Sequence, residues 1–228
     1  MAPPAEGVPT GTTERHPMAM RLLVLAISLL TCGAASAVES TMPYAVVKRL
    51  PPGVEVEGAI VEARSFSDAT GEHLVVVSHR DEPTGQSLHV VHLAHSGAEP
   101  WRIVGHVDDE VRDCKKEATL QLVPGALVVT DLDSDKHDEV SFAWVKSCRK
   151  ELGPDALVLV LMEDDAKYTM HGSTVLMAKR RDGTAQQLTE SGPARPPTID
   201  AALAKLKPFA TFATSAWEAW KVQLYVRE

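Results

Sequence analysis

The sequence predicts a mainly β protein, an antiparallel meander folded as a sandwich or as propeller-like blades, with a C-terminal helical segment. Three observations predict it. Short runs rich in Val, Ile, Leu and Thr recur from Tyr44 to Val175, and Gly, Pro and Asp punctuate them. Several of these runs alternate with the period of two that a half-buried strand requires. Beyond Pro196-Pro197 the apolar spacing switches to i, i+4, the period of a helix.

Taken in order, Val54 to Glu57 alternates, and Ile60 to Phe66 continues in the same style. Asp68-Ala69-Thr70-Gly71 is a turn signal before His73 to His79, and Pro83-Thr84-Gly85 turns the chain into Ser87 to His95. Trp101 to Val107, Thr119 to Val123, Ala126 to Thr130, Glu139 to Val145, Leu157 to Met162 and Tyr168 to Met177 complete the strands. No repeat of fixed period is present, which argues against a full propeller. At the C-terminus Thr198 reads as an N-cap for a helix over Ile199 to Leu206, which Pro208 interrupts. Phe212, Ala216 and Trp220 then share one helical face. These aromatic residues read as core packing, with a carbohydrate-binding platform as the competing use.

The N-terminus reads as an export signal. Met20-Arg21 supplies a positive start, Leu22 to Leu30 an apolar run, and Ala35-Ser36-Ala37 a small-x-small cleavage site. A membrane span needs about 20 apolar residues, and this run is about half that, so cleavage before Val38 is expected. Residues 1–17 precede the positive start and lack apolar periodicity, so Met18 or Met20 competes with Met1 as the true start. Leu29-Leu30-Thr31-Cys32 faintly resembles a lipoprotein box, with Thr31 in the place of the expected small residue. The resulting division is 1–37 as extension and signal peptide, 38–192 as the β domain, and 193–228 as linker and helix packing on it.

The formal net charge is −8, and the charged residues of 1–37 cancel, so the mature chain keeps it. An acidic surface argues against nucleic acid as a partner and is compatible with binding cations. The mature chain contains no membrane span, and a periplasmic or secreted location is expected. Cys32 leaves with the signal, which leaves Cys114 and Cys148. An even pair in an oxidising compartment favours a disulfide; the alternative is two unrelated buried thiols.

One loop carries recognisable chemistry: Asp131-Leu132-Asp133-Ser134-Asp135-Lys136-His137-Asp138-Glu139. Carboxylates at positions 1, 3 and 5 of a tight loop supply hard oxygen ligands, and calcium accepts six to eight of these in loose geometry. The candidate ligands are Asp131, Asp133, Asp135 and Glu139 by side chain and His137 by its carbonyl. An EF-hand would need an acidic residue at position 12, where Phe142 stands. The competing reading is a solvated acidic turn.

The loop resembles the calcium loop of FG-GAP and integrin-type β-propeller repeats, in which Asp-x-Asp-x-Asp-Gly-x-x-Asp leads straight into a strand. Val140 to Trp144 provides that strand here, and Lys136 stands where the pattern has Gly. A wider resemblance runs over Trp101 to Thr174 through Asp113-Cys114, Thr130-Asp131-Leu132-Asp133, Ser147-Cys148-Arg149, Lys167-Tyr168 and Gly172-Ser173-Thr174. It is similar to a family of uncharacterised exported bacterial proteins that carry the label surface polysaccharide biosynthesis. That resemblance implies the disulfide and the calcium-type loop, with His171 departing from the Arg expected before Gly172.

His89, His92 and His95 do not form a zinc site on this reading, because a strand places His89 and His95 on one face and His92 on the other. Asp108-Asp109-Glu110 and Glu163-Asp164-Asp165 read as solvated turns, either of which could lend a carboxylate to the 131–139 loop. No nucleophile elbow, phosphate loop or paired catalytic carboxylates are evident. The expectation is a non-catalytic envelope protein that binds a glycan or protein partner. The alternative is an accessory enzyme or factor in surface polysaccharide assembly.

Overall fold

A computed structural model describes residues 39–179, 183–188 and 194–226. The predicted leader, and Gly192-Pro193 of the linker, lie outside the described residues. The first sheet has the order β1-β2-β3-β4-β5, a pure antiparallel meander of Ala45–Val46, Ala59–Asp68, Gly71–Glu82, Gly85–His95 and Arg102–Val111. The second joins β6 (Ala118–Leu122), β8 (Glu139–Cys148), β9 (Ala156–Glu163), β10 (Ala166–Ser173) and β13 (Thr198–Ile199), with β7 (Val128–Thr130) also paired to β8. A small third sheet sets β11 (Val175–Lys179) between β12 (Ala185–Gln187) and β14 (Val222–Val226). Its β11–β14 pair is parallel.

The two larger sheets pack face to face, and no closed barrel forms. The inner faces meet in one core, in which Phe66, Val75, Leu88 and Val90 oppose Val140, Phe142, Trp144 and Val160. The other face of the second sheet carries Ala143, Val145, Leu157, Leu159 and Leu161, and these pack under α1 (Lys207–Trp220) through Phe209, Ala213, Trp217 and Trp220. The second sheet is therefore buried on both sides, which explains why β9 reads Leu-Val-Leu-Val-Leu-Met without polar alternation. Val54, Val56 and Trp101 cover part of the outer face of the first sheet.

The aromatic residues of the C-terminal helix are core: Trp217 and Phe209 are 1% and 2% exposed. Two local expectations are corrected. Thr198 does not cap a helix; Thr198 and Ile199 pair with His171 and Met170 on β10. Pro208 does not interrupt a helix either, because it occupies the first turn of α1, where its missing N–H has no intrahelical partner to lose. Val54 to Glu57 is not a strand: its alternation packs Val54 and Val56 inward, but β1 takes the edge of β2 beside it.

Cys114 and Cys148 form a disulfide with a Cα–Cα distance of 5.6 Å. It joins the segment after β5 to the end of β8, and the Cys114 N–H donates to the carbonyl of Thr84 in the β3–β4 turn. The acidic loop enters the opposite end of β8. Among the described residues no helix is long and apolar enough to cross a membrane.

Candidate metal centre

The loop is shaped by two left-handed residues, Ser134 (φ 66°) and Lys136 (φ 76°). The second is the position where the sequence has Lys in place of Gly. Its strain is held in place by the neighbouring hairpin: the Ala69 N–H donates to the Lys136 carbonyl, and the Asp138 N–H donates to Asp68 Oδ2 at 3.1 Å. Within the loop, Asp135 Oδ1 accepts from the His137 N–H at 2.8 Å.

This fold brings carboxylates into two triads that share one member. Ligand atoms of Asp131, Asp133 and Glu139 lie within 4.8 Å of one another, and so do those of Asp133, Asp135 and Glu163. Acidic residues at this spacing could hold a metal ion. Glu139 is fully buried; its Oε2 accepts from Thr130 Oγ1 (3.0 Å) and the Leu132 N–H (2.8 Å), whereas Oε1 has no partner among the described residues. Asp131 Oδ1 is likewise buried and unpaired. A buried carboxylate oxygen without a donor is costly, so the donor set fits a hard cation. It is all oxygen, as calcium prefers.

The electrostatics match this packing of like charges. Burial pushes the Glu139 carboxyl up to about 7, although the Leu132 N–H and Thr130 hydroxyl oppose the rise. Burial also raises Glu163 to about 7, helped by the charges of Asp133, Asp135 and Asp164. His137 turns its ring outward to Asp164, with Nδ1 at 3.2 Å from Oδ2, and that bond raises its pKa.

Glu163 belongs to the cluster although it lies outside the loop. Its position follows from the pairing of β9 with β8, which continues from Val140↔Met162 toward the loop. Of the two acidic segments that the sequence offers as a source of a further carboxylate, 108–110 and 163–165, it is the second that supplies one, through Glu163. His89 and His92 behave as the strand alternation predicts, His89 reaching Asp108 (2.7 Å) at the surface and His92 turning inward, 3% exposed.

His92 finds a partner that sequence reasoning missed. Asp68, His73 and His92 form a buried relay, with Asp68 Oδ1 at 3.0 Å from His73 Nε2 and His73 Nδ1 at 2.9 Å from His92 Nε2. Burial alone would raise the Asp68 pKa; donors from Thr70 and the Asp138 N–H, with His73 beside it, outweigh that and lower it. Three strands must be in register to assemble this relay, which no local motif records.

No family model, curated protein or solved structure matches the chain.

Proposed function

We propose that the protein is an exported, non-catalytic module of the cell envelope whose acidic loop binds calcium, and which contacts an envelope glycan or another protein. The observation that carries the calcium reading is Glu139 Oε1, a carboxylate oxygen in a fully buried residue with no donor among the described residues, beside Asp131 and Asp133. The Cys114–Cys148 bridge supports an oxidising destination. In this reading Asp131, Asp133, Asp135, Glu139 and Glu163 coordinate by carboxylate, with the His137 carbonyl completing the shell.

Thermal melting of the mature chain tests it. Calcium should raise Tm and chelator lower it, since a ligand bound only by the folded state stabilises that state. Asp133→Ala removes the residue shared by both triads, and its exposure predicts a fold left intact with the calcium response lost. A Tm unchanged by millimolar calcium would reduce the loop to an acidic turn. Export is tested separately by intact mass, which should place the N-terminus at Val38.

A further inference from the structure

On the other side of β8 from the acidic triads lies a polar cleft of about 350 Å³. Asp68 and His73 line it from the β2–β3 hairpin, His92 from β4, Arg102 from β5, and Asp138 from the end of the loop. Asp164 and Asp165 of the β9–β10 turn stand at its rim, exposed. Two of the lining side chains are more than nine-tenths buried and keep polar atoms unpaired among the described residues. Asp138 is 4% exposed with neither carboxylate oxygen paired, and His92 is 3% exposed with Nδ1 unpaired, among the described residues.

The relay fixes what His92 offers. Asp68 is ionised, so His73 Nε2 carries the proton that points at it. While the His73 ring is neutral its Nδ1 is an acceptor, and the bond between the rings then has His92 donating from Nε2. His92 Nδ1 is left as a lone pair. Both unpaired groups therefore lack the same thing, a hydrogen-bond donor. Leaving such a group unmet costs about 1–3 kcal/mol, and buried polar groups in folded proteins are as a rule met.

Charge selects the kind of donor. Four aspartates line the cleft against one arginine, and Asp68 alone has a full set of local donors. The donor should be positive. A metal ion is the poorer candidate, because among the described residues Asp138 and His92 belong to no group of three or more ligand atoms converging on one point. An organic cation carries several N–H groups and can reach acceptors that are further apart. We propose that this cleft binds a small organic cation, an ammonium or guanidinium group, held by the Asp138 carboxylate and Nδ1 of His92.

The test is an NMR titration of the mature chain, following the histidine ring signals, with n-butylammonium, n-butylguanidinium and neutral n-butanol. It is run in chelator and again in millimolar calcium, so that the cleft and the ion loop report separately. A saturable shift of the His92 and His73 rings is expected with the cations, and about tenfold weaker or no binding with butanol. Asp138→Asn should weaken cation binding by about tenfold or more while the calcium response of Tm survives. Arg102→Ala, at an exposed position, should strengthen it and serves if the Asp138 variant does not fold. The proposal is overturned by the absence of a saturable shift in wild type, by butanol binding equally well, by zinc saturating the His92 ring in place of the organic cations, or by Arg102→Ala leaving cation affinity unchanged.

Discussion

Asp138 and Glu139 are consecutive in the chain, both are more than nine-tenths buried, and they turn to opposite faces of the same sheet. Asp138 faces the cleft between the sheets with Asp68 and His92, and Glu139 faces the triad with Asp131 and Asp133. The extended chain leading from Asp138 into Glu139, the first residue of β8, alternates its side chains in this way. Burial, with neighbouring Asp68 and Asp131, raises Asp138 to about 6, and burial raises Glu139 to about 7.

A pH dependence follows for the ion-free protein. A carboxyl whose pKa is higher in the folded state binds more protons there than in the unfolded chain. Its contribution is fully present below the unfolded value and is lost as pH rises through the folded one. For Glu139 the window runs from its ordinary value of 4.5 to about 7, and the loss is on the order of 2–3 kcal/mol. In chelator, the urea midpoint should therefore fall between pH 5 and pH 8. Saturating calcium, which binds the ionised carboxylates, should flatten or reverse that slope. A midpoint rising with pH in chelator would contradict the burial of Glu139.

Lys136→Gly should stabilise the protein. Lys136 is exposed at φ 76°, a conformation that costs a non-glycine residue about 1 kcal/mol. The substitution also removes a positive charge from beside the carboxylates, so calcium should bind more tightly. Equilibrium unfolding with and without calcium measures both effects, and destabilisation of the ion-free form would refute the first.

Replacing Cys114 and Cys148 with Ser should lower stability by about 3–4 kcal/mol in the chain-entropy model, for a sequence separation of 34. Non-reducing peptide mapping of the wild type should recover the two residues in one linked pair. Free alkylation of both thiols in the folded protein would break this expectation.

Gly172→Ala should loosen the helix from the sheet. A Cβ at Gly172 would lie 2.7 Å from Trp217 Cζ2 and 3.1 Å from the Pro197 Cα. Overpacking of this kind costs about 1–3 kcal/mol. Tryptophan fluorescence and the urea midpoint should move together; an unchanged midpoint would mean that Trp217 has room to retreat.

Much of this fold is written locally. The runs at 60–66, 73–79, 87–95 and 157–162 fall within β2, β3, β4 and β9, because β-branched and aliphatic residues there are bounded by turn residues. The strand β14 was not legible, since Val222 to Val226 follows a helix and finds its partner in β11, across 47 residues from Val175 to Val222. Thr198 and Pro208 were misread because each has two local meanings, and tertiary pairing chose between them. The acidic loop was legible from its spacing alone. Glu163-Asp164-Asp165 was legible only as one of two acidic segments that could lend a carboxylate to the loop, and strand register selects Glu163. The Asp68–His73–His92 relay was not legible, because it depends on strand register rather than on neighbours in sequence.

The disulfide encloses more than two cysteines. β6, β7, the acidic loop and β8 all lie between Cys114 and Cys148, so the candidate ion loop sits inside a covalent ring. The ring removes chain entropy from the unfolded state over the whole 34-residue interval, and reduction restores it. A protease that nicks the exposed stretch from Asp133 to Lys136 would add one water to the mass yet leave both pieces joined until a reductant parts them.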